Sequence, residues 1–295
     1  MMPMPRSYKH PILEYIFKKK RKEDISPKLQ EVITFTYNDI REAMTNLNYH
    51  RNTQASLSNF VIDLTRQDRG IASRVPKYIV DRGYDLLNMK SYDGERIAGA
   101  FLYVGIGNEV KSWLEWPESM KEIRIDSSIV PSLTRSYIRQ DEGALFSIID
   151  YCDVLTILSE KIIGAKTNVI RIQHPLKWQP NEIDGLYASE DPVVLFPIEA
   201  KALSTNDQLN LYQLRGELLT MMNNFNRDII QPLGCQMTKF GMQFAIFPQF
   251  KPNSKVPLPI KPIDFIRVIL EPLIEAWNGR TSNKKDGQRR MLDFD

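Results

Sequence analysis

The spacing of apolar residues in the second half of the chain predicts an alternation of helices and strands. Some segments repeat apolar residues every three or four positions, and others are short apolar runs bounded by polar turns. The predicted elements are, in order, a helix over 141–159, strands over 168–172, 182–188 and 193–202, a helix from the capping residues 204–207 to Phe225, a strand over 243–247, and a helix from Pro262 to about Asn278. This order is typical of an α/β (α+β) fold in which helices flank a mixed sheet.

The first half of the chain is predicted to be mainly helical. The pattern indicates short helices at 11–20, after the start signal Ser26–Pro27, and after 36–39. A further helix is capped by Ser56 or Ser58, and a strand hairpin has its tip at 92–96. The first half is therefore expected to form a small helical domain that ends in a hairpin.

This succession of helices and a hairpin resembles a winged helix-turn-helix. The resemblance implies that the helix around residues 58–67 enters the major groove of DNA. The candidate DNA contacts are Asn59, Arg66, Gln67 and Arg69. The alternative is a helical cap that packs on the second domain.

The predicted domains follow from these patterns. The chain divides into a basic N-terminal arm at 1–24, a helical or winged-helix-like domain at 25–125, a second domain at 126–279, and a polar tail at 280–295. Trp113 and Trp116 lie between the two domains, in a segment broken by glycines and a proline, and are expected to pack at the junction.

Charged residues interrupt the strands predicted at 182–188 and 193–202. Asp184 lies in the first, and Glu199 and Lys201 lie at the end of the second. Alternate strand residues share a face, so Glu199 and Lys201 point the same way, while Val194, Phe196, Ile198 and Ala200 take the other face. Burying an acid and a base in an apolar strand is costly unless they are paired or hold a metal. Pro197 is awkward in this strand, and a bend or bulge is expected there.

Composition limits the class of protein. The chain has 295 residues, 42% hydrophobic and 25% charged, which is the balance of a soluble globular protein of one or two domains. No apolar run has the length of a membrane span, and no secretory segment is evident. The two cysteines lie in apolar settings and are expected to be buried thiols in a reducing cytoplasm. The net charge of +3 does not by itself indicate nucleic-acid binding, and the basic run at 18–22 is most simply a solvated face.

The charged residues on the two strands suit a divalent metal. The carboxylates of Asp184 and Glu199 and the carbonyl of Ala200 are hard oxygen ligands, as Mg²⁺ or Mn²⁺ prefers. Such an ion lowers the pKa of bound water and offsets charge on a phosphodiester. Lys201 would orient or deprotonate that water, and its pKa would fall if it were desolvated.

Two further groups extend this candidate site. Gln208 and Tyr212 are four residues apart near the start of the predicted helix and are expected to share one face. Glu142 lies at the start of the preceding helix, where it is either an exposed first-turn residue or a carboxylate directed at the site. The alternative helical carboxylate is Glu160.

This set of residues resembles the PD-(D/E)XK nuclease superfamily, the fold of most type II restriction endonucleases. Asp184 matches the first acidic position, Glu199-Ala200-Lys201 matches Glu-x-Lys, and Gln208 with Tyr212 matches the Gln-x-x-x-Tyr of RecB-like members. Glu142 matches the helical glutamate by position only, and Ile183 stands where the motif name has Pro. The likeness covers residues 140–275.

The resemblance implies a Mg²⁺-dependent enzyme that cleaves double-stranded DNA, commonly as a homodimer. The leading expectation is a type II restriction endonuclease acting in the cytoplasm, without a membrane partner. The alternatives are a RecB-like exonuclease or another defence or repair nuclease, and a DNA-binding protein that does not cut. The simplest non-catalytic interpretation is that Glu199 and Lys201 form a structural ion pair on a strand.

Overall fold

The computed structural model shows a mixed α/β protein in which a curled mixed sheet is flanked by helices. It describes residues 9–21, 26–49, 57, 60–61, 64–65, 71–89, 91–93, 95–173, 176–177, 181–203, 208–225 and 228–277. None of the helices within those ranges has the length and apolar character needed to cross a membrane.

A four-stranded sheet organises the first part of the chain. Its strands are β1 (Val32–Thr36), β2 (Tyr84–Leu87), β3 (Ser91–Asp93) and β4 (Glu95–Tyr103). All pair antiparallel with β4, in the order β1-β4-β2, with β3 also beside β4. The helices of this part are α1 (Lys9–Lys20), α2 (Tyr37–Asn46), α3 (Ile71–Arg74) and α4 (Lys77–Val80). The expected hairpin is confirmed, but the helix predicted after Ser26 is wrong, because that segment leads into β1.

Helix α1 is part of the core of this first unit. Ile12, Leu13, Ile16 and Phe17 are buried, and the ring of Phe17 contacts the rings of Tyr84 and Phe101 at 5.0 and 5.1 Å between centroids. The basic run that follows is largely paired: Lys18 with Glu14, Lys19 with Glu42, and Lys20 with Asp39. These ion pairs agree with a solvated basic face, and they leave little unbalanced positive charge on α1 for DNA.

An eight-stranded mixed sheet organises the second part. Its strands are β5 (Lys121–Asp126), β6 (Val169–Gln173), β9 (Gly185–Glu190), β10 (Val193–Lys201), β11 (Ile229–Ile230), β12 (Leu233–Thr238), β13 (Gly241–Ile246) and β14 (Asp264–Glu271), while β7 (Leu176–Lys177) pairs with β8 (Glu182–Ile183) apart from it. The order across the sheet is β5-β14-β13-β12-β10-β9-β6, with β11 beside β10. β10 is antiparallel to β9 and parallel to β12, which makes the sheet mixed.

Helices cover the two faces of this sheet. They are α6 (Glu142–Tyr151), α7 (Val154–Ile163) and α8 (Leu211–Asn224), while α5 (Ser132–Tyr137) has no buried residue and lies beside a 3₁₀ turn at Glu275–Trp277. Apolar residues of α6 and α7 pack with Val194, Phe196, Ile198 and Ala200 of β10. Residues of α8 pack with Leu195, on the opposite face of the same strand. The alternation predicted for β10 is therefore confirmed.

Two predicted helices and one predicted strand differ from the structure. The strand expected over 182–188 is interrupted at Asp184, which lies in a bend between β8 and β9, because β8 pairs with β7 while β9 pairs with β10 and β6. The helix expected over 141–159 is two helices, because Asp153 takes a left-handed conformation (φ 50°) between α6 and α7. The last predicted helix is wrong: its residues form β14, which is hydrogen-bonded on both sides to β13 and β5. Strand β12 was not predicted. Phe, Ile and Val are enriched in β14 and favour a strand once neighbours are present on both edges.

Pro197 fits its strand without the expected bulge. It pairs with Leu186 in an unshifted register between β9 and β10. On the other side of β10, the partner changes from β11 at Val194 and Leu195 to β12 from Ile198 onward. Pro197 therefore occupies the gap between two partner strands, where a backbone N–H is not required for the ladder.

The two units are joined by the chain between β4 and β5 and by the start of α8. Leu114 donates its N–H to the carbonyl of Leu209, and Leu211 donates to Ser112. Tyr212 is buried in an apolar cluster with Leu87, Met89, Ala100, Leu102 and Val110. The junction expected around the two tryptophans is thus built against the beginning of α8. Cys152 and Cys235 are both buried and unbridged, as predicted.

Candidate active site

Asp184 meets the end of β10 through the pairing of β9 with β10. Gly185 lies opposite Ile198 in the antiparallel register, so the residue before it lies beside Glu199 and Ala200. The backbone N–H of Ala200 donates to Oδ2 of Asp184 at 2.9 Å. The predicted juxtaposition of Asp184 with the Glu199-Ala200-Lys201 segment is therefore present.

Close packing against α6 fixes the backbone at Gly185. A Cβ at this position would lie 2.4 Å from Cε1 of Phe146, whose ring fills the space over the strand. No side chain larger than hydrogen fits there without a shift of the Phe146 ring.

We expect Gly185→Ala to lower the free energy of unfolding by about 1 to 3 kcal/mol, the usual cost of overpacking. Urea denaturation would measure the change. Adding Phe146→Leu should recover part of the loss, because it removes the ring that the new methyl group meets. A Gly185→Ala variant as stable as the wild type would contradict this account of the contact.

Glu199 and Lys201 form a pair at the end of β10. Glu199 is fully buried, and Nζ of Lys201 donates a short hydrogen bond to Oε1 of Glu199. Burial acts to lower the pKa of Lys201, but the carboxylates of Glu199 and Asp184 outweigh it and raise that pKa above its ordinary value. Desolvation thus acts in the predicted direction, but the neighbouring acids, which the prediction left out, reverse the net shift. The ammonium stays protonated, so it suits orienting and charge-stabilising roles and not that of a general base.

Helix α8 brings two further side chains to Glu199. Nε2 of Gln213 donates to Oε1 of Glu199 at 2.7 Å. Glu217, one turn later and buried, has a pKa raised well above its ordinary value, first by burial and then by the charge and hydrogen bonding of Glu199. Residues four apart share a helix face, which explains why both reach the same carboxylate.

Asp184 is also shifted toward its protonated form. Burial is the main cause, followed by the neighbouring charge of Glu199, and they raise the pKa of Asp184 to about 8. Lys201 and the N–H of Ala200 act in the opposite direction without cancelling the rise. The cluster therefore gathers several carboxyl groups in a buried region, and the positive charge of Lys201 does not fully neutralise them.

Gln208 and Tyr212 do not share a helix face as predicted. Helix α8 begins at Leu211, with Asn210 as its N-cap accepting hydrogen bonds from the N–H groups of Tyr212 and Gln213. Gln208 therefore precedes the helix. Tyr212 packs against the first unit, where burial and the charge of Asp85 raise its pKa to about 12.

Glu142 lies at the same end of the sheet as Asp184 but on the other face. It is the first residue of α6, one turn before Phe146, which packs over Gly185. Glu199 and Lys201 point to the α8 face instead. Glu160 is exposed near the end of α7. Neither glutamate shares a hydrogen bond or ion pair with Glu199 or Lys201 among the described residues.

The residues predicted to contact DNA lie outside the described part of the chain. Asn59, Arg66, Gln67 and Arg69 all fall in the gaps of the described ranges, and so does most of the helix predicted around them. Their proposed role stays a prediction.

The donor atoms of the cluster fit a hard divalent cation. Oε2 of Glu199 and Oε1 of Glu217 are buried without a hydrogen-bond partner, an arrangement that is costly unless a cation or proton compensates it. Across the described ranges, no three His, Cys, Asp or Glu side chains are grouped so as to hold a metal unaided. Two carboxylates and a backbone carbonyl, with waters completing the shell, suit Mg²⁺, which dehydrates reluctantly.

Gln213 and Glu217 were missed from the sequence. The sequence signal for this pair is its four-residue spacing, which places both side chains on one helix face. Gln208 and Tyr212 have the same spacing but lie five residues earlier in the chain. The choice between the two pairs depends on where the helix starts. The capping cluster at 204–207 suggested an earlier start than Asn210 provides.

Comparisons with family models, curated proteins and solved structures found no match to the chain.

Proposed function

We propose that this protein is a Mg²⁺-dependent nuclease that hydrolyses phosphodiester bonds of double-stranded DNA. The observation that carries the proposal is the meeting of Asp184, Glu199 and Lys201 at the ends of two paired strands, with a buried carboxylate oxygen left unpaired. An ion pair that served stability alone would gain nothing from a second and third buried acid beside it.

Asp184, Glu199 and the carbonyl of Ala200 would hold the ion, with Mn²⁺ able to replace Mg²⁺. When bound, the ion supplies Lewis-acid activation of water and stabilises charge on the phosphate. Lys201 donates hydrogen bonds to the attacking water or to a phosphate oxygen, since its ammonium remains charged. Gln213 holds the carboxylate of Glu199 in place.

The finer assignment is a type II restriction endonuclease of restriction-endonuclease-like fold. The order of the elements supports this assignment. Helices α6 and α7 are followed by β6, β9 and β10, which pair antiparallel in succession, and then by helix α8 and by β12, which is parallel to β10. A winged-helix-like first unit would supply DNA recognition, supported by its helices and its antiparallel hairpin. Action as a homodimer on cytoplasmic DNA completes the proposal.

The test is incubation with a supercoiled plasmid and with linear DNA, with Mg²⁺ or with EDTA. We expect Mg²⁺-dependent conversion of the plasmid into discrete fragments, resolved on a gel. A smear from both substrates would indicate an unspecific nuclease, and digestion confined to linear DNA would indicate an exonuclease. Binding of DNA without any cleavage under Mg²⁺ or Mn²⁺ would overturn the enzymatic proposal.

A further inference from the structure

One register row of the large sheet runs from the candidate active site to the sheet edge. Lys201 pairs with Gln236, Gln236 with Gln243, Gln243 with Arg267, and Arg267 with Glu122. We call these five residues, on β10, β12, β13, β14 and β5, the cross-strand row. Directly paired residues project from the same face, so the row forms one line of side chains.

Contacts of the side chains agree with this common face. Nη1 of Arg267 donates to Oε1 of Glu122 at 3.1 Å. Nε1 of Trp116 donates to Oε1 of Gln236 at 2.7 Å, and the indole packs edge-on against Phe265, two residues before Arg267 on β14. Helix α8 packs on this face, so the cross-strand row begins beside Glu199 on the same side of the sheet.

Exposure rises along the row from the site outward. The side chain of Lys201 is 15% exposed, that of Arg267 is 31% exposed and that of Glu122 is 47% exposed. Gln236 and Gln243, between them, are partly exposed. The row therefore leads from the buried carboxylates to open solvent at the edge strand β5.

The side chains of the cross-strand row suit a ligand that carries several negative charges and further polar groups. Lys201 and Arg267 are cations, Gln236 and Gln243 between them are amides, and Glu122, the acid of the row, lies at its far end. Three strand spacings of about 4.8 Å separate Lys201 from Arg267, about 14 Å in all, which is roughly the axial rise of four nucleotides of one strand. Because an indole N–H can only donate, Trp116 holds the oxygen of the Gln236 amide and turns its NH₂ group away from the ring.

We propose that the cross-strand row binds the DNA strand that extends from the phosphate being cut, with Arg267 contacting a phosphate several nucleotides away. The inference rests on the proposed nuclease function and adds the path of the substrate across the sheet. Gln236 and Gln243 would contact sugars, phosphates or base edges in between. Glu122 competes with the phosphate for Arg267, since it already binds that guanidinium.

The test uses two variants that break the same ion pair. Binding of a fluorescein-labelled DNA duplex in EDTA would be followed by fluorescence anisotropy as the salt concentration varies. Arg267→Gln should weaken binding about tenfold at low salt and reduce the salt slope by about 0.9, the loss of one phosphate contact. Glu122→Gln should tighten binding, because it frees Arg267. A role confined to stability would move both variants in the same direction.

Lys166→Gln is the control of equal charge change. Lys166 is exposed in the segment between α7 and β6, at the edge of the sheet opposite to β5, so this variant should bind as the wild type does. Unchanged binding and salt slope in Arg267→Gln, with a wild type that cuts and binds DNA, would overturn the strand path alone. A wild type that neither binds nor cuts DNA would overturn the nuclease proposal itself.

Discussion

Lys201→Met is expected to lower the rate of DNA cleavage by on the order of 10³-fold or more while DNA binding persists. The ammonium lies beside both carboxylates of the site and stays protonated, so its loss removes the positive charge available to the phosphate in transit. Asp184→Asn should have a similar effect, because it removes a metal ligand and keeps the acceptor for the N–H of Ala200.

Lys239→Met provides the matched control for this loss. Lys239 is an exposed lysine in the turn between β12 and β13, outside the carboxylate cluster, and its replacement should leave the cleavage rate within about twofold. Cleavage would be measured on plasmid DNA, and folding by circular dichroism. Retention of full Mg²⁺-dependent activity in both Lys201→Met and Asp184→Asn would refute the site.

Glu217→Gln is expected to stabilise the metal-free protein at pH 8 by about 1 to 2 kcal/mol. In the folded state the pKa of Glu217 is raised well above its ordinary value of 4.5, mainly by burial. The folded state therefore holds a proton that the unfolded state releases, and its stability falls as the pH rises from about 4.5 toward the raised pKa. Glutamine stays neutral at every pH and avoids this loss.

Asp184 contributes to the pH dependence with the same sign. Its pKa rises from 3.8 to about 8 on folding, so the wild type should lose stability between these two values as pH increases. Urea midpoints measured from about pH 5 to about pH 9 in EDTA, a range that includes the folded pKa of Asp184, should decline for the wild type and decline less steeply for Glu217→Gln, in which Asp184 still titrates. Parallel profiles for the two proteins would show that Glu217 does not hold the proton that the folded state retains.

Mg²⁺ should reverse this trend if the carboxylates bind it. A ligand that binds the folded state alone stabilises it, and the effect grows with ligand concentration. The wild type should therefore gain more stability from Mg²⁺ at pH 8 than at pH 6, since the carboxylates must lose their protons to bind it.

The sequence predicted the central acid-base cluster because the signal is local. Two apolar runs joined by a turn specify neighbouring antiparallel strands, and the period of two places Glu199 and Lys201 on one face. Asp184 then needs only the register of one hairpin to reach them. The same locality explains why α1, α2 and the hairpin of β3 and β4 were predicted.

Errors arose where distant neighbours decide the local structure. The segment of β14 contains a plausible helix start at Pro262, but its pairing with β13 and β5 on both edges fixes it as a strand. The first turn of α8 depends on the side chain of Asn210 and on backbone pairing with residues 112–114. Apart from Asn210, which directly precedes α8, these partners are distant in the sequence.

For this protein, the sequence by itself determined that Glu199 and Lys201 share one face of β10 and that Asp184 comes from the neighbouring segment, where it directly precedes β9. Only the tertiary structure decided what approaches that face. Gln213 and Glu217 reach Glu199 because α8 crosses back over β10 before β12 joins it, and Tyr212 turns to the first unit instead. The state of Lys201 was also a tertiary property: burial alone would lower its pKa, and the acids gathered around it raise it.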